Sequence, residues 1–319
     1  MTAPDVAPAR PAGTEAGPGA GFSAVVAIHD SAAELAELLE SIRRRLPRAP
    51  QLIVVDNASS DAGPELAEQA GAEVIRLESN VGFGAANNAG LERARTDVTV
   101  LLNPDVVLLD DGLQRLTAVA RGARALLAPR LLRPDGSVQD SVHPTPGGLD
   151  ALLPALVPTP LLPRPLREHA DPWRSTRRRR VGWAIAACLA ARTELLRDLG
   201  PFRGEDFLFY EDLDLCLSAA ARGIPTLLEP GVVVRHGGAH ATVRRYGGEP
   251  YELLARRRRE VIERALGRRP LALDDAAQAL TFASRAGIRL ALGRDASVQR
   301  SRLRALLGAR RAGAQKSPS

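Results

Sequence analysis

Residues 52–61 read LIVVDNASSD, four apolar residues followed by a cluster of carboxylate, amide and hydroxyl side chains. A continuous apolar run of this length is typical of a strand buried on both faces of a parallel sheet. A similar run, AVVAI, stands at 24–28, and leucines at helical spacing occur in 34–45 between the two. Because parallel neighbours require a long crossover, this stretch predicts a strand–helix–strand unit.

The alternation of strand and helix continues along the chain. Strands are predicted at 73–77 and 98–102, and helices at 64–70 and 85–93. This order predicts an α/β fold in which helices flank a central, mostly parallel sheet. Ligands of such sheets bind beyond the carboxyl ends of the strands, so the polar residues that follow the strands are the site candidates.

The composition permits a full core but distributes charge unevenly. Hydrophobic residues make up 45% of the 319, and the net charge is +6. Residues 251–319 hold 16 Lys and Arg against 6 Asp and Glu, so residues 1–250 carry a net charge of −4. A basic C-terminal segment indicates either contact with an anionic surface or an ordinary solvated helix, and the sequence leaves both open.

Three parts of the chain depart from the pattern of the core. Residues 1–20 are rich in Pro, Ala and Gly, which predicts disorder. Residues 141–180 combine many prolines with a run of arginines, which predicts an irregular insertion within a domain spanning 21–245. Residues 246–319 are predicted to form a basic helical extension with a disordered end.

Cysteine usage and hydropathy favour a cytoplasmic protein. Cys188 and Cys216 form no CxxC pair, the N-terminus lacks the apolar core of a signal peptide, and no run of about 18 apolar residues occurs. If the basic extension contacts an anionic surface, it would place the protein peripherally on a membrane, while a solvated helical extension is the alternative. Two arginine clusters would provide that contact: Arg256–Arg259, and Arg302 with Arg304, Arg310 and Arg311.

Polar residues directly follow two of the predicted strands. Asp56 can accept a hydrogen bond from the imide N–H of a pyrimidine base, while an Asx-turn or a helix cap is the alternative. Asn103-Pro104-Asp105 offers one carboxylate for a divalent cation that bridges two phosphates, while a proline turn is the alternative.

Residues 80–90, NVGFGAANNAG, contain three glycines. Glycines before a helix let the backbone approach a phosphate, although an ordinary tight turn has the same composition. Asn87 stands where the third glycine of G-x-G-x-x-G belongs, which argues against a dinucleotide-binding dehydrogenase.

Two further constellations carry reactive side chains. Glu211 and Asp212 open a predicted helix behind an aromatic stretch. Acidic residues suit a helix N-terminus, but burial among aromatic residues should raise a carboxyl pKa, which suits a general base. His236 ends the apolar run at 232–234 and is either a metal ligand or a structural histidine.

In this order and spacing, the motifs resemble family-two inverting glycosyltransferases with the GT-A fold, especially the bacterial rhamnosyltransferase-like branch. The resemblance covers 22–245 and rests on VVDNASSD at 54–61, NVGFGAANNAG at 80–90, LLNPD at 101–105, GPF at 200–202 followed by FLFYEDLDLC at 207–216, and VVVRHGGAH at 232–240.

The resemblance implies transfer of a sugar from a nucleotide-diphospho-sugar donor to a hydroxyl of a glycan or polyprenyl-linked acceptor. The first expectation for the donor is dTDP-rhamnose, and the second is a UDP-hexose. The reaction would be a metal-assisted direct displacement with inversion, using Mg²⁺ or Mn²⁺ and a carboxylate base.

The same resemblance assigns individual roles. Asp212 would be the catalytic base, with Glu211 as the second candidate, while Asp105 and His236 would bind the metal and Asp56 the pyrimidine. The other donor-side residues would be His29, Asp30, Asn57, Asn80, Gly82, Asn87, Asn88 and Asn103. The acceptor-side residues would be Trp183 and Asp214.

Three departures from the family pattern bear on the donor site. The first strand ends in Ile28-His29-Asp30, where the family usually has Thr-Tyr-Asn, so contact with the base is altered. Ala186-Ala187 precede Cys188, where Gly-Ala is frequent, which would narrow the donor site. Asn103 replaces the first acid of the D-x-D motif and leaves metal binding to Asp105.

Other classes are disfavoured by particular features. A nucleic-acid-binding protein would need stacking platforms, yet the body is acidic and aromatic residues are few, so no nucleic-acid partner is expected. A non-catalytic relative of the same fold would not need to keep Asp105, Asp212 and His236.

Overall fold

The computed structural model describes residues 21–148, 157, 162–200, 202–203, 209–238 and 248–315. Strands β1 to β11 are, in order, Ser23–Ile28, Gln51–Asp56, Glu73–Arg76, Val98–Leu102, Val106–Leu108, Leu126–Leu132, Val142–His143, Arg179–Val181, Trp183–Ala184, Cys188–Arg192 and Thr226–His236. Helices α1 to α10 are Ala32–Arg45, Gly63–Gln69, Phe83–Glu92, Gly112–Gly122, Arg164–Ala170, Thr193–Leu199, Glu211–Ala221, Tyr251–Leu266, Arg268–Ala291 and Ser297–Gln315. A short 3-10 helix spans Pro172–Arg174.

The central sheet has the strand order β3-β2-β1-β4-β10-β6-β11-β5, and β8 pairs with β11. Strands β3, β2, β1 and β4 run parallel, which confirms the strand–helix–strand prediction. Strand β10 enters antiparallel between β4 and β6, and β5 pairs antiparallel with β11. The fold is therefore a mixed α/β sheet flanked by helices.

Helices pack on both faces of this sheet because the middle residues of β1 and β2 are apolar on both sides. Val25 of β1 belongs to the core cluster on one face, and Ala24 and Val26 belong to the cluster on the other. Helix α3 approaches closely at Gly90, where an added Cβ would stand 2.4 Å from a methyl carbon of Val25. The glycine at 90 is thus required by packing rather than by a turn.

The predicted insertion at 141–180 has more regular structure than expected. Its described residues contain β7, α5, the 3-10 helix and the first two residues of β8, and β7 pairs antiparallel with β9 in a small second sheet. The predicted disordered segments at 1–20 and at the extreme end lie outside the described residues, apart from the last turns of α10.

The C-terminal extension is helical, as expected, but its first arginine cluster does not face solvent. Arg258 pairs with Asp274 and Arg259 with Asp275, and all four side chains are at most 16% exposed. These ion pairs fasten α8 to α9, and α8 also packs against α7. The prediction that Arg256–Arg259 offer a free basic surface is therefore wrong for Arg258 and Arg259.

Two arginines of the second predicted cluster also contact other side chains of the protein. Arg302 donates to Glu249 over 2.7 Å and lies over the ring of Tyr251, with 5.5 Å from its guanidinium carbon to the ring centroid. Arg310 lies 3.6 Å from Asp275. Within the described ranges, none of the helices combines the length and apolar character needed to cross a bilayer.

Candidate functional site

A cavity of about 720 Å³ opens where β1, β2 and β4 end and where α7 begins. Its position follows from the parallel sheet, whose carboxyl ends leave polar loops side by side. The predicted residues that line it are His29, Asp30, Asn57, Asn80, Gly82, Asn103, Asp105, Trp183, Glu211, Asp212 and His236.

Asp105 and His236 meet at one end of the cavity although 131 positions separate them. The pairing of β5 with β11 sets Val106 opposite His236, and Gly237 donates its N–H to the Asp105 carbonyl over 2.9 Å. As a result, Nε2 of His236 lies 3.3 Å from Oδ1 of Asp105, and both side chains are largely buried.

Gln139 orients the His236 ring from the far side. Nδ1 of His236 lies 3.0 Å from Oε1 of Gln139, so a proton on Nδ1 leaves the Nε2 lone pair directed at the Asp105 carboxylate. Nδ2 of Asn103 also lies 3.3 Å from Nε2 and can donate to it, and a cation between Nε2 and the Asp105 carboxylate would take the place of that hydrogen bond. Sequence reasoning missed Gln139, because a glutamine just after a Pro-Asp-Gly turn carries no motif.

These residues fit a divalent cation. Asn103 adds an oxygen, Oδ1, that is buried and has no hydrogen-bond partner in the described part of the chain. No cluster of three or more His, Cys, Asp or Glu side chains suited to a metal occurs among the described residues. Mg²⁺ and Mn²⁺ need only one or two protein carboxylates when phosphate and water complete the coordination shell.

Asn57 shapes the loop before α3. Its Nδ2 donates to Oδ1 of Asn80 over 3.0 Å, and its Oδ1 accepts the N–H of Val81 over 2.8 Å. Oδ1 of Asn80 also accepts the N–H of Gly82, whose φ of +90° suits glycine. The loop is thus held open beside the cavity by amide side chains.

Asp56 is buried behind this loop. Its Oδ1 accepts the N–H of Ser59 over 2.8 Å, which is the turn geometry considered as the alternative to base binding. Asp56 is 6% exposed and, among the described residues, is not one that lines the cavity. Binding of a pyrimidine by Asp56 stays a prediction.

His29 and Asp30 form the neighbouring wall. Asp30 adopts a left-handed φ of +49° and accepts hydrogen bonds from the N–H and the hydroxyl of Ser60, and the backbone bond is the main reason why its pKa is lowered. Nδ1 of His29 is buried and has no hydrogen-bond partner among the described residues. A polar group of a ligand could meet that nitrogen.

Three predicted site residues have structural roles instead. Asn88 exchanges hydrogen bonds with the backbone of Phe202, at 2.6 and 3.2 Å, and Asn87 donates to the Phe83 carbonyl over 2.9 Å. Asp214 is buried between Arg203 and Arg264, at 3.0 and 3.2 Å. In the described part of the chain, none of the three lines the cavity, and their donor-side and acceptor-side roles stay predictions.

Helix geometry explains why Asp214 is turned away from the cavity. Residues two apart on a helix point to nearly opposite sides, so Asp212 and Asp214 cannot both face the cavity. Asp212 faces it and accepts the N–H of Leu213 over 2.8 Å. Burial raises the pKa of Asp212 to about 6, against the opposing effect of backbone hydrogen bonds.

The start of α7 is set by an unusual backbone. Phe209 and Tyr210 have φ of +76° and +66°, a region that side chains other than glycine rarely adopt. This turn brings Glu211 and Asp212 to the cavity floor at the first turn of the helix. Strained backbone of this kind is retained where the surrounding structure enforces it, often at active sites.

An aromatic wall borders Asp212. Trp183 stacks on His143 with 4.3 Å between ring centroids and lies 6.1 Å from the ring of Tyr210. Burial lowers the pKa of His143 to about 4, so this ring is a neutral platform at neutral pH. Leu254 of α8 adds an aliphatic surface to the cavity. Such a wall suits the apolar face of a sugar ring.

Comparison with known proteins agrees with this geometry. The model of the family "Glycosyl transferase family 2" matches residues 23–187. An N-acetylglucosaminyl-diphospho-decaprenol L-rhamnosyltransferase of Mycobacterium tuberculosis is 29% identical over 237 residues, which cover 66% of this chain and 74% of that protein.

Two solved structures share the fold. GalNAc-T7, solved with UDP, GalNAc and Mn²⁺, superposes with a TM-score of 0.55 at 16% identity, covering 76% of this chain and 48% of that one. TarS 1–349 of S. aureus superposes with a TM-score of 0.50 at 17% identity, covering 82% and 70%. The chain is a glycosyltransferase with the GT-A fold and belongs to glycosyl transferase family 2.

Proposed function

We propose that this glycosyltransferase moves rhamnose from dTDP-rhamnose to a hydroxyl of a glycan or polyprenyl-linked acceptor, with inversion at the anomeric carbon. The observation that carries the proposal is a carboxylate with a raised pKa, Asp212, in the same cavity as the Asp105–His236 pair. The rhamnosyltransferase from M. tuberculosis supports this donor and acceptor class. A UDP-hexose is the second candidate donor.

The proposed chemistry is a single displacement. Asp212 accepts the proton of the acceptor hydroxyl while the hydroxyl oxygen bonds to the anomeric carbon and the bond from that carbon to the diphosphate oxygen breaks. Attack opposite the leaving group inverts the anomeric centre. Glu211, also buried at the cavity floor, is the alternative base.

The diphosphate would lie at the other end of the cavity. Asp105 and His236, with Asn103 beside them, would hold a divalent cation there, and that cation would offset the charge developing on the leaving group. Gln139 keeps Nε2 of His236 available as a ligand. Asp56, Asn57, His29 and Asp30 would contact the nucleoside.

The donor assignment is tested by nucleotide binding. We expect dTDP with Mn²⁺ or Mg²⁺ to raise the melting temperature more than UDP, GDP giving the smallest shift, and EDTA to abolish the effect. His236→Ala should remove the metal-dependent part of the rise in melting temperature. Gln139→Leu should weaken metal binding about 10-fold. A preference for GDP, or stabilisation that survives EDTA, would contradict the assignment.

We also propose that the enzyme works at the cytoplasmic surface of an anionic membrane. Two observations support this position: both cysteines are free and buried, and residues 251–319 are strongly basic. A polyprenyl-linked acceptor would be embedded in the same membrane.

A further inference from the structure

The C-terminal helices reach the cavity through α8. Leu254 of α8 lines the cavity, and Arg258 follows one helical turn later. The guanidinium of Arg258 donates to both carboxylate oxygens of Asp274 in α9, over 3.0 and 2.7 Å. Its central carbon lies 5.7 Å from the centroid of the Tyr210 ring.

This ion pair is buried and rigid. The side chains of Arg258 and Asp274 are 16% and 4% exposed. Gln278 donates a further hydrogen bond to Oδ2 of Asp274 over 2.7 Å, so the carboxylate is well satisfied. Burying two charges costs desolvation energy that apolar packing would avoid, so stability alone does not explain the pair. A fixed, planar cation beside an aromatic ring does explain it.

Tyr210 is the residue on which this cation acts. It immediately precedes Glu211 and Asp212, and its carbonyl accepts the N–H of Asp214 over 3.0 Å, which starts the hydrogen bonding of α7. Its left-handed backbone lacks the freedom of glycine and needs external support. The ring of Tyr210 forms the cavity wall beside Trp183, next to the two carboxylates.

We propose that Arg258, held by Asp274, is a positioning residue for the acceptor half of the site. It fixes Tyr210, and with it the wall of Tyr210, Trp183 and Leu254, on which the acceptor sugar ring packs so that its hydroxyl reaches Asp212. This inference rests on the proposed transferase function. The C-terminal helices then form part of the active site and are not an accessory tail.

The test uses the full-length protein and separates an effect on acceptor use from an effect on donor binding. In Arg258→Met we expect kcat/KM for the acceptor to fall at least 30-fold, about 2 kcal/mol. Binding of dTDP or UDP with Mn²⁺, and hydrolysis of the donor without acceptor, should stay within about twofold of wild type. A purely structural role would lower all three together.

Arg268→Met is the matched control. Arg268 of α9 pairs with Glu263 of α8 over 3.3 Å, so it joins the same two helices, but the two side chains are 78% and 48% exposed. We expect no change in transfer. If Arg258→Met does not fold, Arg258→Lys, which keeps the charge without the bidentate geometry, should show the same selective loss of acceptor use.

Two results would overturn the inference: equal transfer in the Arg258 and Arg268 variants, or a parallel loss of nucleotide binding, hydrolysis and transfer in both Arg258 variants. Failure of the proposed function is distinguishable, because wild-type protein would then neither hydrolyse nor transfer from dTDP-rhamnose or UDP-hexoses.

Discussion

At the scale of single residues, two opposing effects act on the pKa of Asp212. The first turn of a helix favours an ionised carboxylate, and the N–H of Leu213 adds a hydrogen bond in the same direction. Burial at the cavity floor opposes both and wins, raising the pKa to about 6. A base with this pKa is ionised at neutral pH and still basic enough to accept a proton during attack.

This pKa predicts an acid limb in the rate profile. The base works only when ionised, so kcat/KM should be level above about pH 7 and fall tenfold per pH unit below about pH 6. The profile should be measured with saturating metal, and Glu211→Gln is the control, because it should retain the same limb. A limb that disappears in Glu211→Gln would transfer the role of base to Glu211.

Asp212→Asn should gain stability while losing activity. The folded pKa of about 6 exceeds the value of 3.8 for an ordinary Asp, so the ionised form destabilises the fold at pH 7.5. We expect the free energy of unfolding to rise by about 1–3 kcal/mol at pH 7.5; this gain should shrink as pH falls through 6 and be absent below about 4. The rate of transfer should fall about 10²–10⁴-fold.

Asp214→Asn, two residues away, is the contrasting variant for the same denaturant titrations. It removes the charge that pairs with Arg203 and Arg264, but both arginines stay partly exposed to water, so it should lower the free energy of unfolding by about 1 kcal/mol. Destabilisation by Asp212→Asn at pH 7.5 would contradict the burial argument.

At the scale of elements, the apolar runs were sufficient to predict the parallel half of the sheet. The prediction at 24–28 corresponds to β1 at Ser23–Ile28, and the helix expected at 85–93 is α3 at Phe83–Glu92. Strand and helix periods are local, so a single sequence reveals them. The fold class and the order of the site motifs were predictable for this reason.

Side-chain directions were not predictable in the same way. Asn88 points to the backbone of Phe202, 114 positions away, and Gln139 points to His236, 97 positions away. Both contacts depend on how loops and strands meet in three dimensions. The antiparallel entry of β10 between β4 and β6 depends on tertiary packing as well.

The packing of α3 on the sheet gives a prediction at this scale. In Gly90→Ala the new Cβ would meet Val25 at 2.4 Å and Val55 at 3.0 Å, so we expect a loss of about 1–3 kcal/mol in the free energy of unfolding. Gly122→Ala, at the end of α4, has no atom within 4 Å of its Cβ and should be neutral or slightly stabilising. Urea denaturation would measure both, and equal stabilities would contradict the close packing of α3.

At the scale of the whole molecule, exposed apolar residues offer a second candidate position for the proposed membrane contact, apart from the predicted arginine clusters. Four large apolar side chains at the end of α9, in the turn that follows it and at the start of α10 are between 41% and 62% exposed: Ile288, Leu290, Leu292 and Val298. Arg285, Arg289, Arg294 and Arg300 occur in this stretch, against one acid, Asp295. Exposed aliphatic residues among basic ones are typical of a surface that inserts shallowly between anionic head groups.

Vesicle binding tests this position. Each basic residue near an anionic surface contributes at most about 1 kcal/mol, and a buried leucine contributes about 2 kcal/mol, so apolar and charged residues should matter together. We expect wild-type protein to co-sediment with phosphatidylglycerol vesicles, more weakly at high salt, and the double variant Leu290→Glu, Leu292→Glu to bind at least 10-fold more weakly. Leu166→Glu, on α5 and 44% exposed, is the control. If the double variant and Leu166→Glu bind equally well, the turn between α9 and α10 is not the membrane contact, and the solvated-helix alternative for the basic extension gains support.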